Sequence, residues 1–341
     1  MKPAIVVGLL VCLPGCIDAP TTGEAMPPLV GGKPDATHRY AVGICYSPTG
    51  DCRDSSTARC TGSLVASDVV LTARQCIDQG VTYGATFCDA QPGLAINPLH
   101  YFVTTHEDPY GAGARPIWYA VKSVMPMPKV TPIDTPLCSK DLALLWLMQR
   151  VPSSEAQPIE LDLERELAPT EVAIVGRGAV AAQLVQRDGT TGVQVTDDGG
   201  KRRRSLEHVP VLCLPDKPGG CVQPDDSVPA GTFTAHPNQL VVGGAGLPGD
   251  LGAGIVDQSS FAGVPVLLGA VSGSTWDGGQ VISTFGMHVS AHRDFIASTM
   301  AAVAALHDEP GGCSTTRTGS PLPVAALLWL LRRRRRTVRR D

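Results

Sequence analysis

Among the reactive residue types, the cysteines have the most informative spacing in this sequence. Three of the 11 cysteines lie near the chain ends, and the other eight lie between residues 45 and 221. A zinc site built from cysteines usually contains C-x-x-C pairs, and the eight include no such pair. An even, scattered set is typical of disulfides formed outside the cytosol. The sequence therefore predicts an exported chain with no metal and no cofactor.

Short motifs spread over most of the chain carry a second chemical signal. They are LVGG at 29–32, CTGSL at 60–64, LTARQC at 71–76, DLALL at 141–145, GDLGAG at 249–254 and VSAHRDFI at 289–296. In this order the motifs resemble the chymotrypsin family of trypsin-like serine proteases. The resemblance implies an all-β fold of two six-stranded antiparallel β-barrels, a cleft between them and a C-terminal helix.

The resemblance also identifies the three catalytic positions, and two of them hold unsuitable residues. Asp141 stands at the position of the catalytic aspartate, Gln75 at that of the general-base histidine, and Leu251 at that of the nucleophilic serine. The family mechanism needs a base that takes the nucleophile's proton and returns it to the leaving amine. A glutamine amide does not become protonated near neutral pH, and a leucine side chain has no nucleophile. The sequence therefore predicts a catalytically defective homologue.

Two further features of the family's active site are implied near the position of the missing serine. The oxyanion-binding N–H groups would be those of Gly249 and Leu251, which do not depend on side-chain identity. In active members a freed N-terminus pairs with the aspartate before the serine, and the matching residues are Leu29 and Asp250.

The substrate-binding positions depart from the family pattern. Ala245 would lie at the base of the primary specificity pocket, which would then not favour lysine or arginine. Ser272, Gly273 and Ser274 replace the edge that pairs with substrate backbone, without the family's tryptophan. We therefore expect substrate binding to have weakened as well.

Four disulfides are expected among the eight cysteines. The resemblance implies that Cys60 pairs with Cys76 around the histidine position. The other expected pairs are Cys45–Cys52, Cys88–Cys138 and Cys213–Cys221.

Apolar patterning predicts where several elements lie. Period-two runs bounded by Gly, Pro and Asp indicate strands. The pattern predicts a hairpin at 63–72, buried strands at 142–147, 172–175 and 264–271, and a helix at about 291–305.

Charge argues against a nucleic-acid partner. Without the leader's Lys2, the last ten residues' seven arginines and Asp341, the chain has 20 basic against 31 acidic residues, a net charge of about −11. A nucleic-acid surface would be basic. The basic run at residues 201–204 predicts a solvated hairpin tip, with an anion-binding patch as the alternative.

Both chain ends have the character of sorting segments. Residues 1–16 resemble a bacterial lipoprotein signal with Cys16 as the lipid site, the alternative being ordinary secretion. Residues 17–28 would be a linker or propeptide, 29–300 the protease-like domain (barrels at about 29–155 and 165–290) and 301–320 a linker. Residues 321–341, preceded by Cys313, resemble the C-terminal sorting tail of myxobacterial surface proteins. The alternative for that tail is an uncut short membrane anchor.

Taken together, these features predict a non-catalytic homologue on the outer cell envelope, anchored to the membrane and binding an unknown protein or glycan. One alternative is a serine endopeptidase by family, with residual or rearranged proteolysis. Another is a structural envelope component without a specific partner.

Overall fold

Apolar runs separated by turns fold into 16 strands and one α-helix in the part of the chain that the structure describes. This computed structural model describes residues 32–77, 96–128, 140–164, 169–178, 181–187, 190–196, 202–214, 238–244, 246, 249–277 and 280–307. The strands are β1 Lys33–Pro34, β2 Ala41–Tyr46, β3 Ala58–Ala66, β4 Val69–Thr72, β5 Tyr101–Thr104, β6 Tyr119–Pro126, β7 Ala143–Leu147, β8 Glu160–Leu161, β9 Glu171–Gly176, β10 Ala181–Arg187, β11 Thr190–Thr196, β12 Arg204–Cys213, β13 Gln239–Gly243, β14 Gly254–Asp257, β15 Val266–Asp277 and β16 Gln280–His288. The helix α1 is Arg293–His307.

The first six long strands close into a barrel. β2, β3, β4, β7, β6 and β5 pair antiparallel in that order around the ring. The predicted hairpin is β3–β4, in which Ser63 pairs with Leu71. Leu64, Leu71 and Leu144 have no exposed surface, and such burial stabilises the barrel by roughly 25 cal/mol per Å² of apolar area. The strands β4 and β7 of this barrel lie next in sequence to residues 75 and 141 and so position them.

A second barrel forms from the later strands. β12, β13, β16, β15, β14 and β9 pair in sequence, and β9 also pairs with β12, so the ring closes. β1 extends β12, β8 lies parallel to β15, and β10 and β11 form a separate two-stranded sheet. The core of the ring includes Val172, Ile174, Leu240, Val242, Ile255, Leu268 and Val271.

The predicted fold class is confirmed: two six-stranded antiparallel barrels followed by a C-terminal helix. The chain divides after Ala301 into two units. Both barrels lie in the first unit, and the described part of the second consists of residues 302–307, which end α1. No described helix has the length and hydropathy needed to span a bilayer.

Within the basic run, Arg203 does not lie on the solvated hairpin tip that the charge of residues 201–204 predicted. Arg203 is only 1% exposed. Its Nε donates to the Asp35 carbonyl oxygen (2.9 Å), and its Nη1 donates to those of Thr105 (3.1 Å) and Ala41 (3.4 Å). Arg203 directly precedes a strand of the second barrel, whereas Ala41 and Thr105 belong to the first. The side chain therefore connects the two barrels through backbone carbonyls, which is why its charge does not require solvent.

A buried histidine precedes the helix. His292 ends the 3₁₀ turn Ser290–His292 and is 3% exposed. Its Nε2 atom is buried with no hydrogen-bond partner within the described residues. Burial, together with the nearby His288 and Lys140, lowers the pKa of His292 to about 4. The imidazole is therefore neutral in the folded protein at pH 7.

This histidine is expected to make the free energy of unfolding depend on pH. An unfolded histidine has a pKa of about 6.5, so between that value and about pH 4 the unfolded chain binds a proton that the folded chain does not. The stabilisation is complete above pH 6.5 and is lost as the pH falls toward 4, a change of about 3 kcal/mol. The free energy of unfolding can be measured by urea titration of the wild type and of His292→Gln at about pH 4.5 and 7.5. The wild type should lose more stability than the variant between the higher and the lower pH. An identical pH dependence in the two proteins would contradict the assignment.

Candidate functional site

Asp141 anchors the site on the first barrel. It lies two residues before β7 and is completely buried. Its Oδ1 accepts a hydrogen bond from the Gln75 backbone N–H (2.9 Å), and its Oδ2 accepts from Gln75 Nε2 (2.8 Å) and from the Ser272 hydroxyl. Ser272 lies in β15 of the second barrel. The carboxylate therefore joins residues of both barrels across the cleft.

Gln75 occupies the centre of this arrangement. It lies in the 3₁₀ turn Arg74–Cys76, just after β4, and is 7% exposed. Its Nε2 donates to Asp141 Oδ2 and also to the Ser272 carbonyl oxygen (2.9 Å), so both amide hydrogens are engaged. Both neighbouring groups are acceptors, which fixes the amide nitrogen on that side. The Oε1 atom is buried without a partner among the described residues, and an amide in this position cannot accept and return a proton.

The turn that carries Leu251 keeps a sharply defined backbone. Gly249 and Gly252 have φ angles of +99° and +79°. A Cβ atom on Gly252 would lie 2.2 Å from the Thr61 carbonyl oxygen, so only glycine fits there. Thr61 donates its N–H to the Leu251 carbonyl (3.0 Å) and its hydroxyl to the Gly249 carbonyl (3.2 Å). The first barrel thus holds the turn in place although the residue at its tip is a hydrocarbon.

The predicted oxyanion donors lie in the same turn. Within the described part of the chain, neither the Gly249 N–H nor the Leu251 N–H donates a hydrogen bond. Both remain available to an acceptor. The turn therefore offers two backbone donors on either side of the Asp250 peptide, next to the Leu251 side chain.

Asp250 is completely buried next to this turn. Its Oδ1 accepts a hydrogen bond from the Gly178 N–H (2.7 Å). Cβ atoms on Gly176 and Gly178 would lie 2.1 and 2.4 Å from the Asp250 carboxylate oxygens, so this close approach requires both glycines. Leu29, the partner expected for Asp250, lies outside the described residues.

Phe285 lies against the strand that was expected to pair with substrate, and sequence reasoning missed this residue. Phe285 of β16 pairs with Gly273 of β15, and a Cβ atom on Gly273 would lie 2.4 Å from the Phe285 ring. Ser274 Oγ donates to the Gly246 carbonyl (2.9 Å). Ala245 lies outside the described residues. The pairing of the two strands brings Phe285 to this edge, and no local motif could have indicated it.

Arg177 is a second residue that the motifs did not identify. It is 2% exposed, and its backbone N–H donates to Thr61 Oγ1 (3.0 Å). Its guanidinium donates to the carbonyls of Ala41 (3.2 Å) and Glu107 (3.2 Å). Burial, reinforced by the charge of Arg203, lowers its pKa. The only signal in the sequence was its position between two glycines at the end of a predicted strand.

Two of the expected disulfides are present. Cys45 is bonded to Cys52, and Cys60 is bonded to Cys76, which fixes the turn that carries Gln75. Cys213 is also disulfide-bonded, to a partner beyond the described residues. The other cysteines with an expected role also lie outside the described residues: Cys16, Cys88, Cys138, Cys221 and Cys313.

No group of three or more potential metal-ligating side chains occurs among the residues that the structure describes.

The comparison with protein families agrees with the architecture. The family model described as trypsin matches residues 30–214, just over half of the chain. This stretch includes Gln75 and Asp141 and ends before Leu251. A comparison with curated proteins found no match.

Proposed function

The chain belongs to the trypsin family, and from that premise we propose that it is a non-catalytic member of the family that binds a protein or glycan partner on the cell envelope. The observation that carries the proposal is the bonding of Gln75. Both hydrogens of its amide are engaged by Asp141 and by the Ser272 carbonyl. In an active triad the group at this point must move a proton between nucleophile and leaving group.

The residue at the nucleophile position supports the same conclusion. Leu251 lies at the tip of a turn that two hydrogen bonds from Thr61 hold in place. The nearest later serines do not replace it, because Ser259 and Ser260 bond to Asp257 in a different turn. Ser272 is buried and donates its hydroxyl to Asp141. An acyl-enzyme would have no oxygen on which to form.

The enzyme alternative rests on the parts of the site that persist. The buried Asp141 and the free N–H groups of Gly249 and Leu251 are groups that residual hydrolysis would use. Losing triad members typically costs a factor on the order of 10⁴ to 10⁶ in turnover. The non-catalytic function is therefore the better supported of the two.

The disulfides and the family indicate an exported protein. Beyond that, we propose that Cys16 carries lipid and that the Cys313 tail provides a second attachment. A trypsin-like activator cuts after lysine or arginine, and Pro28 precedes Leu29. Residues 17–28 would then stay on the mature chain and keep the domain joined to its lipid.

The proposal predicts both the state of the mature protein and its behaviour with peptides. Mass spectrometry of protein from native membranes should find a lipid-modified N-terminus at Cys16, whereas a dominant species beginning at Leu29 would contradict retention of the segment. The purified wild-type chain should not cleave a peptide library, so any background cleavage should be the same with the Asp141→Asn variant. Crosslinking in native envelope should capture a saturable partner in fixed stoichiometry. Diffuse capture would favour a structural component, and Asp141-dependent cleavage would favour the enzyme.

A further inference from the structure

Two adjoining depressions on the first-barrel side of the molecule are lined by arginines. One has a volume of about 490 Å³ and is lined by Arg39, Arg115 and Arg203 among others. The other has a volume of about 610 Å³ and is lined by Arg53 and again by Arg115. Because Arg115 belongs to both, the depressions form one continuous surface. We call it the arginine groove and define it by these four arginines.

The charges at the rim of the groove are available for binding. Arg39 is exposed and makes only long hydrogen bonds, of 3.4 and 3.5 Å, to the carbonyls of residues 154 and 155. The Arg53 side chain is 92% exposed, and its Nε lies 3.6 Å from an Asp51 oxygen, a weak contact in water. Arg115 is exposed and makes no ion pair or hydrogen bond within the described residues.

Three carboxylates also line the groove: Asp51, Glu107 and Glu155. Glu107 is paired with Arg202 at 2.7 Å. Glu155 accepts hydrogen bonds from the hydroxyls of Tyr119 (2.9 Å) and Thr105 (3.3 Å). Behind the rim, burial lowers the pKa of Arg203, although the charges of Asp35 and Glu107 oppose this shift. Since Arg202 offsets Glu107, the four arginines face two remaining carboxylates, an excess of two positive charges on a body with a net charge of about −11.

Apolar surface lies between the arginines. Ile117 lines the first depression and is 57% exposed, and Pro116 and Trp118 line the second. An exposed isoleucine next to guanidinium groups suits a ligand with both apolar side chains and carboxylates. Arginine, unlike lysine, can hold a carboxylate through two parallel N–H bonds. A peptide supplies both features, whereas a sulfated glycan offers little apolar surface to Ile117.

We propose that the arginine groove binds an extended acidic peptide segment of the envelope partner, with its carboxylates on Arg39, Arg53 and Arg115 and an apolar side chain against Ile117. The proposal rests on the proposed binding function for the existence of that partner. It places recognition outside the catalytic cleft, which explains how a family member could keep a partner after losing both catalytic residues.

The test is a fluorescence anisotropy titration of the purified full chain with a labelled twelve-residue peptide of aspartate and glutamate with leucine at every fourth position. We expect saturable binding that weakens several-fold between about 50 and 200 mM salt. Arg53→Gln combined with Arg115→Gln should weaken binding by about tenfold or more, equivalent to about 1.4 kcal/mol. The matched control Arg150→Gln removes an exposed arginine elsewhere and should stay within about twofold of the wild type. Ile117→Ser should weaken binding without changing its salt dependence.

Three outcomes would overturn the proposal. The first is no saturable binding by correctly folded protein, and the second is equal binding by the Arg53/Arg115 double variant and the Arg150 control. The third is tighter, arginine-dependent binding of a sulfated oligosaccharide, which would assign the groove to a glycan. Fluorophosphonate labelling of the same sample reads out the proposed function independently. If the protein reacts with fluorophosphonate and still binds the peptide normally, only the non-catalytic assignment is contradicted. If it does not react with fluorophosphonate and does not bind the peptide, only the proposed role of the groove is contradicted.

Discussion

The double variant Gln75→His with Leu251→Ser is expected to regain reactivity toward a small acylating probe but to hydrolyse peptides at least about 10³-fold more slowly than an active trypsin-family enzyme assayed alongside. The chemistry returns because the surrounding groups are in place. Histidine at position 75 can donate to Asp141, and the N–H groups of Gly249 and Leu251 donate to no acceptor among the described residues. Peptide cleavage also requires the substrate backbone to be held in line, and Gly273 stands where the family resemblance expects a tryptophan on the pairing edge.

The obstacle is the packing of Gly273. Because an ideal Cβ atom there would lie 2.4 Å from the Phe285 ring, restoring a larger residue requires the ring to move. Positioning contributes several orders of magnitude to enzyme rates, so loss of the edge is not repaired by a restored triad. Adding Gly273→Trp with Phe285→Ala to the double variant should raise peptide cleavage by about tenfold or more.

Two controls separate chemistry from positioning. Asp141→Asn in the double variant should reduce probe reactivity by a factor on the order of 10³ to 10⁴, as expected when the base loses its orienting carboxylate. Rapid peptide cleavage by the double variant itself would show that only the triad was lost and that the substrate edge still functions.

The substitution Arg203→Met is expected to destabilise the folded domain by about 2–5 kcal/mol. The Asp35 and Thr105 carbonyls would each lose the hydrogen bond that the guanidinium donates to them, whereas Ala41 would keep its bond from Arg177. A buried acceptor left without a donor costs about 1–3 kcal/mol. Removing a buried charge offsets part of this cost, but the link between the barrels is lost.

Differential scanning calorimetry measures the effect. For a domain of this size, the loss corresponds to a fall in Tm of roughly 5–15 °C. Arg150→Met is the matched control, because Arg150 is exposed, and it should change Tm by less than about 2 °C. A similar small change for Arg203→Met would show that its carbonyl contacts do not stabilise the fold.

The fold and part of the site could be predicted from the sequence because their signals are local. Period-two apolar runs predicted the positions of β3, β4, β7, β9 and β15, and the order of the motifs was enough to expect Gln75 beside Asp141. The hydrogen bonds between these two residues follow from the turn after β4 and the start of β7. Cys60 and Cys76 flank the same turn and are bonded in the structure.

The remaining features depend on contacts between distant segments. Phe285 reaches Gly273 through the pairing of β15 with β16, and nothing near either residue signals that approach. Arg203 lies in a run of four basic residues, which predicts exposure. It is buried because backbone carbonyls of the other barrel satisfy it. Such partners are not specified by side-chain type, so sequence patterns do not reveal them.

Fluorophosphonate labelling followed by intact mass spectrometry will show whether this trypsin-family chain has a reactive nucleophile. Wild-type protein is treated beside the Gln75→His, Leu251→Ser double variant, which serves as the positive control for probe access. Our expectation is an adduct on the double variant and none on the wild type, because acylation requires the hydroxyl that Leu251 lacks. Stoichiometric labelling of any serine in the folded wild-type domain would contradict it.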